Sequence, residues 1–368
     1  MPKADLPSGL TGPGHGSPLA RTRAPGRSVS AREWVVDWWA GVGGALGSLL
    51  RFGAIPLEMG FRMLSGVWSR MYDGGLIPLQ RAPIPVISVG NLTVGGSGKT
   101  PFSGWLMRGL RDRGEKPVLV ARGYGEDEIL LHRRWSPDLP VIAEEDRAFG
   151  AWKAAKKGAT VVVLDDGFQH RRLARELDIV LVAGRTPPRV RLLPRGPFRE
   201  TFRSLGRAGV VVLTQKGREE DTSDVEGRVD PFVREAPYRV AFVPAGFVDL
   251  AGKPTEGPGG EYLAVAGIGD PWSLFRVLRE SVGPAGELLS YPDHHEYGWS
   301  DVRTIVDRAG GRTIVTTEKD AVKLEAFASE FDDLKVLRLG VEFLDGEDRL
   351  WKHIERVLKA KRTPETRR

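Results

Sequence analysis

The 368-residue chain contains no cysteine, which excludes a disulfide framework, a thiolate-bound metal and a cysteine nucleophile. It also lacks an apolar run of membrane-spanning length. Between Asp37 and Arg51 the uncharged stretch Trp38–Leu50 is thirteen residues long, against the ~20 that a spanning helix needs. That stretch begins too far from Met1, and with the wrong flanks, to read as a signal peptide. No internal repeat is present. A true excess of positive charge is missing as well. Lys and Arg number 54 against 48 Asp and Glu, for a net +6. Residues 1–32 contribute +4 and residues 352–368 contribute +5, so the body between them is −3. Nucleic acid is therefore not an expected partner.

What is abundant is glycine and proline, 46 and 26 residues, which predicts many tight turns. Residues 1–32, rich in Gly, Pro and Ser, read as a disordered basic tail, and 361–368 as a second basic tail. Inside the body, residues 171–207 carry ten Arg against Glu176, Asp178 and Glu200. Guanidinium forks match phosphate oxygens, so this strip is expected to meet phosphate or anionic lipid. Residues 33–80 hold the thirteen-residue stretch, a second apolar piece through Phe61, Met63, Leu64, Val67 and Trp68, and four tryptophans. They read as a helical segment resting on a membrane surface.

From residue 81 the pattern alternates short apolar runs with helical stretches. Ile84–Val89, Pro117–Ala121, Ala159–Leu164, Asp178–Val182 and Ala208–Leu213 read as buried strands, with helices at Pro101–Arg113 and Ala148–Lys157 between them. This predicts an α/β fold with a doubly wound, mostly parallel sheet over residues 81–237. Linker strands are expected over 238–257 and a smaller α/β domain over 258–360. In that domain, Tyr262–Ala266 and Thr313–Thr316 read as strands, Trp272–Ser281 and Asp348–Lys361 as helices.

The first strand runs into Gly90-Asn91-Leu92-Thr93-Val94-Gly95-Gly96-Ser97-Gly98-Lys99-Thr100. Thr93–Thr100 follows the phosphate-loop pattern except that Thr93 stands at the first glycine. Gly95, Gly96 and Gly98 let backbone N–H groups converge on β- and γ-phosphates at a helix N-terminus. Lys99 adds a mobile charge and Thr100 a hydroxyl for Mg²⁺. A later strand ends in Asp165-Asp166-Gly167-Phe168-Gln169-His170, where a carboxylate beside the loop can hold the metal. Which of Asp165 and Asp166 is the closer ligand stays open.

A guanine-specific box is not found: Thr214-Gln215-Lys216-Gly217 and Thr317-Glu318-Lys319-Asp320 both have the wrong spacing. A GTPase or another nucleotide-driven switch is thus the weaker alternative. The phosphate loop through Pro101, Ala121-Arg122-Gly123-Tyr124-Gly125, the Asp165–His170 segment, Leu193-Pro194-Arg195-Gly196-Pro197-Phe198-Arg199-Glu200, Tyr291-Pro292-Asp293-His294-His295 and Thr317–Asp320 together resemble the tetraacyldisaccharide 4'-kinase (lipid A 4'-kinase) family. They follow the family's order from about residue 33 to 355.

The resemblance implies an ATP- and Mg²⁺-dependent kinase. Its substrate would be a tetraacylated glucosamine disaccharide 1-phosphate, met as a peripheral protein at the cytoplasmic face of the inner membrane. It also implies an Asp general base assisted by a His. The family's Gly-Asp-Glu-Pro reads here as Gly125-Glu126-Asp127-Glu128-Ile129, which assigns the base to Asp127, with Glu126 as the alternative and Glu128 beside it. His294 is then the partner of Asp127, with His295 structural, and the second domain must close over the first. Arg147 is expected to neutralise phosphate. Arg199 and Glu200 are expected near metal or substrate, and His170 behind the aspartate pair.

Overall fold

The computed structural model describes residues 31–41, 44–123, 126–135, 138–283 and 286–362, without the side chains of residues 31–33, 40, 126–128, 135 and 362. Both basic tails lie outside the described residues, apart from short stretches that belong to helices. Three helices come first: α1 (Ala31–Ala40), α2 (Gly44–Gly53) and α3 (Ile55–Asp73). The stretch Trp38–Leu50 is thus divided between two helices. Among the described residues no helix is long and apolar enough to cross a membrane.

The first half of the sheet comprises β1 (Val86–Asn91), β2 (Pro117–Ala121), β3 (Val141–Ala143), β4 (Val161–Asp165), β5 (Leu177–Ala183) and β6 (Val210–Lys216), all parallel. Helices α4 (Lys99–Asp112), α5 (Glu126–Trp135), α6 (Arg147–Lys156) and α7 (Ser223–Val229) lie between these strands or follow them. The strands are continuously apolar because helices cover both faces. One face carries Phe102, Leu106 and Leu110 of α4; the other carries Ala151 and Ala154 of α6 and the Phe168–Phe198–Phe202 cluster.

β7 (Tyr238–Val248) joins β6 in parallel, and the two-residue β8 (Pro254–Thr255) pairs with it. The second half holds β9 (Tyr262–Ala266), α8 (Pro271–Ser281), β10 (Glu287–Ser290), α9 (Trp299–Ala309), β11 (Thr313–Thr317), α10 (Glu318–Leu324) and β12 (Leu334–Asp345). β12 runs antiparallel to β7, and the two long strands form a ribbon that makes one twelve-stranded sheet of both halves. The ribbon also fixes how the halves face. β6 ends at Lys216 opposite Phe242, whereas β11 ends at Thr317 opposite Leu337. Within the ribbon Phe242 pairs with Val341 and Phe247 with Leu337. The carboxyl ends of both sets of strands therefore approach the middle of the ribbon from opposite directions. In open α/β sheets this is the rim where ligands bind.

One expectation changes here. The last helix, α11 (Glu347–Arg362), does not close the second half: Leu350, Trp351, Ile354 and Leu358 pack with α4 and β1 in the first half's core. An amphipathic helix is legible from its own period, but the distant face that covers it is not. The acidic trio Glu126–Glu128 opens helix α5.

Candidate functional site

The phosphate loop is built by close approach. Gly98 caps α4 with φ +79°, and a Cβ there would lie 2.1 Å from the Phe242 ring of the ribbon, so both conformation and space require glycine. Asn91 donates from Nδ2 to Ser97 Oγ (2.7 Å), and Thr214 donates to the Ser97 carbonyl (3.1 Å). Val94 N–H donates to Pro197 O (2.7 Å). The loop is thereby braced from β1, from β6 and from the Leu193–Glu200 segment, while Val94, Gly95 and Gly96 stay exposed at its tip. Thr93 contributes its carbonyl, which accepts from Arg199 (3.2 Å).

Asp166 is one of two non-glycine residues with positive φ (54°) among the described residues. Such backbone strain clusters at functional sites. Its carboxylate lies 3.6 Å from Lys99 Nζ and accepts from Arg199 Nη1 at 2.9 and 3.1 Å. Burial alone would raise its pKa; Lys99 and then Arg199 outweigh that and hold it below the ordinary carboxylate value. Asp165 sits deeper. Its Oδ1 accepts from Ser103 of α4 (3.3 Å) and its Oδ2 from His132 Nε2 of α5 (3.1 Å). Of the two aspartates, Asp166 is the one turned to Lys99.

Arg199 also bonds Gln169 Oε1 (2.9 Å) and Asn91 Oδ1 (3.1 Å), so the expected Arg lies at the loop. Glu200 is one link farther out: it accepts from Gln169 (3.1 Å) and pairs with Arg207 (2.9 Å). Arg147 opens α6 behind the N-cap Asp146 and is 3% exposed. It donates to Glu144 O (3.0 Å), while its Nε is buried without a partner among the described residues. Burial, followed by the charge of Arg122, lowers its pKa. This is an arginine whose positive charge is only partly compensated.

His170 departs from expectation. Its side chain makes no hydrogen bond to Asp165 or Asp166, and its Nε2 is buried without a partner among the described residues. Burial, then Arg147 and Arg175, push its pKa down to about 4. The imidazole that meets Asp165 is His132, which carried no motif in the sequence.

The strip 171–207 also differs in part. Arg199 meets the loop, but Arg171 pairs with Asp73 (2.6 Å) and donates to Ser69, while Arg195 pairs with Glu58 (2.9 Å). These two anchor α3 instead of facing phosphate. Glu58 also accepts the Leu192 N–H (2.9 Å).

In the second half the Pro292–His295 turn follows β10. His294 has the other positive φ (62°); its N–H donates to Gly267 O (3.1 Å). Lys319 of α10 lies 2.9 Å from His294 Nε2 and 3.2 Å from Asp293 Oδ1. The buried Asp320, raised by desolvation, accepts from Gly267 N–H, Tyr297 OH and Thr317 Oγ1, and so knots three loops together. His295 bonds Asp301 (2.9 Å) and stacks on Tyr291.

The halves touch across the rim. α5 packs against α10, Arg134 donates to Leu250 O and pairs with Glu325 (3.4 Å), and Lys216 Nζ meets Asp270 Oδ2 at 2.7 Å. The helix that carries Asp127 thus adjoins the helix that carries Lys319. The side chains of Asp127 and Glu128 lie outside the described ones, so the pairing with His294 is not observed.

Among the described residues no three carboxylates or imidazoles cluster as a metal cage. A nucleotide-bound Mg²⁺ needs none, because it takes one or two carboxylates plus phosphate oxygens. The oxygen donors Thr100, Asp165 and Asp166 fit such a cation. Gln169, Asn91, Ser103 and Lys319 adjoin these groups, and of them Asn91, Gln169 and Lys319 stood inside recognised motifs.

Comparison with known proteins agrees with this chemistry. A family model described as Tetraacyldisaccharide-1-P 4'-kinase matches residues 50–359. The chain is 34% identical to the tetraacyldisaccharide 4'-kinase of Anaeromyxobacter sp. (strain K), over 89% of this chain and 96% of the relative. It is 39% identical to that of Syntrophus aciditrophicus, over 69% and 79% respectively. Among solved structures it resembles LpxK from Aquifex aeolicus in complex with ATP, with a TM-score of 0.68 and 28% identity over 84% of this chain and 99% of that one.

Proposed function

Because the chain belongs to the tetraacyldisaccharide-1-phosphate 4'-kinase family, we propose that this rim transfers the γ-phosphate of ATP to the 4'-hydroxyl of a tetraacylated glucosamine disaccharide 1-phosphate. One observation carries the proposal: the Lys99–Asp166–Arg199 cluster at the phosphate loop faces, across the ribbon, the strand ends that bear His294 and Lys319.

The backbone of Thr93–Thr100 cradles the phosphates, and Lys99 follows the charge that develops as the γ-phosphoryl group leaves ADP. Thr100, Asp165 and Asp166 would hold Mg²⁺, which would supply charge neutralisation for the transferring phosphate. Asp127 takes the proton of the 4'-hydroxyl as its oxygen attacks phosphorus, and His294 orients that carboxylate. Arg147 and Arg199 offset anionic charge, with Glu128 and Glu200 supporting them. Phosphoryl transfer asks mainly for such positioning and charge neutralisation.

The lipid acceptor is met at a membrane surface, the cytoplasmic face of the inner membrane, with the protein held peripherally. Leu49, Phe52, Leu57, Met63, Leu64 and Trp68 of α2 and α3 are all exposed, an apolar face that water does not favour. Near that face Arg191 has the guanidinium groups of Arg51 and Arg189 close by, suited to anionic headgroups.

The test is transfer of labelled phosphate to purified lipid disaccharide 1-phosphate in vesicles. ATP should support it and GTP should not; no transfer from ATP would end the proposal. Asp127→Ala should lower turnover about 10²–10⁴-fold, the range for a lost general base, with ATP affinity retained. If it remains active, Glu126 is the base.

A further inference from the structure

We propose that His132 is a positioning residue that clamps the Asp165 carboxylate and so sets the geometry of the metal-side aspartate pair. The proposal rests on the reading of Asp165 and Asp166 as the Mg²⁺ end of the site.

His132 and Asp165 are each only 5% exposed. Leaving a buried imidazole unbonded would be destabilising. Its neighbours Ile129 and Leu131 on α5 are buried and apolar, so an aliphatic side chain would satisfy packing at this position equally well. What a histidine adds is the hydrogen bond from Nε2 to Asp165 Oδ2 at 3.1 Å. An ionised carboxylate only accepts, so Nε2 carries the proton. Ser103 of α4, four residues after Lys99, takes the other oxygen at 3.3 Å. Asp165 is thereby gripped from the phosphate-loop helix on one side and from α5 on the other.

The grip matters because the next residue, Asp166, adopts φ 54°, a conformation its neighbours must enforce. Two adjacent carboxylates repel, and fixing Asp165 inward leaves Asp166 directed at Lys99 and Arg199. Partners of this kind, which hold a metal-side carboxylate in one orientation, typically matter 10–100-fold for metal affinity.

The experiment measures Mn²⁺ binding to the full chain with ATP and no lipid acceptor, by electron paramagnetic resonance. His132→Leu should weaken Mn²⁺ binding about tenfold or more, with metal-free ATP affinity as in the parent and a cooperative unfolding transition at a lower temperature, since Asp165 Oδ2 loses a buried partner. Parental Mn²⁺ affinity in a folded His132→Leu protein overturns the inference. Should that variant not fold, His132→Gln and His132→Asn decide. The Gln amide reaches the place of Nε2 and should keep the affinity, whereas Asn is too short and should lose it; equal affinities overturn the inference. Asp165→Asn separates the two readings. If it leaves Mn²⁺ affinity untouched, the metal assignment of the pair falls and this inference with it. If it weakens binding while His132→Leu does not, only the role of His132 falls.

Discussion

His170 is held neutral by its surroundings: burial first, then the arginines at 147, 175 and 172, bring its pKa to about 4 from an ordinary 6.5. Above pH 6.5 it is neutral whether the chain is folded or not, and contributes nothing to the pH dependence. Between 6.5 and 4 the unfolded chain takes up a proton that the folded one refuses, so stability falls as pH falls through that window. Below 4 both forms are charged and the penalty is constant. At pH 5 the loss amounts to about 1–2 kcal/mol for a partly buried group. His170→Gln should therefore narrow the difference between denaturant melts at pH 7 and pH 5 by about that amount. An unchanged difference would show that His170 titrates normally. At neutral pH the uncharged imidazole leaves the surplus positive charge of this region to Arg147, the residue proposed to offset anionic charge there.

At the scale of elements, β1, β2, β4, β5 and β6 were legible to within a few residues because they are buried on both faces and read as unbroken apolar runs, whereas β3, β10 and β12 were not read as strands. The phosphate loop and the aspartate pair were legible because their chemistry demands fixed residues at fixed spacing. His132 was not, since a single histidine in a helix has no pattern until the helix is packed. Nor was the seat of α11, which depends on α4, more than two hundred residues earlier in the chain. α3 lies between these cases. Its apolar residues were readable, yet only packing separates Phe61, which joins the core, from Met63 and Leu64, which are 66% and 68% exposed. Glu58, Arg171 and Arg195 moor the helix with that face outward. Met63→Glu combined with Leu64→Glu should lower binding to vesicles of anionic lipid at least about tenfold, since a buried side chain of this size contributes about 1.5–3 kcal/mol. Thermal unfolding and ATP affinity should stay at parental values. Undiminished vesicle binding would move the membrane contact elsewhere.

For the whole molecule, the decisive feature is the ribbon of β7 and β12, which turns the carboxyl ends of two parallel half-sheets toward each other. The base proposed on α5 and the histidine after β10 can then serve one reaction although they are far apart in sequence. Each half has its own apolar core, so the ribbon is where the two can move relative to each other. Lys216 and Asp270 bridge the rim at 2.7 Å, and both side chains are partly open to solvent. Such an exposed pair contributes at most about 1 kcal/mol, strong enough to bias a closed arrangement and weak enough to release it. If turnover requires the rim to open for nucleotide exchange, locking it should stop the enzyme. The absence of native cysteine makes this directly testable. Lys216→Cys with Asp270→Cys supplies the protein's only two thiols, which a short bismaleimide can join. The cross-linked protein should lose nearly all turnover, whereas the same double variant capped by a monofunctional maleimide should retain most of it. Equal turnover in the two preparations would mean that the halves work as one rigid body and that the rim as described is already the working geometry.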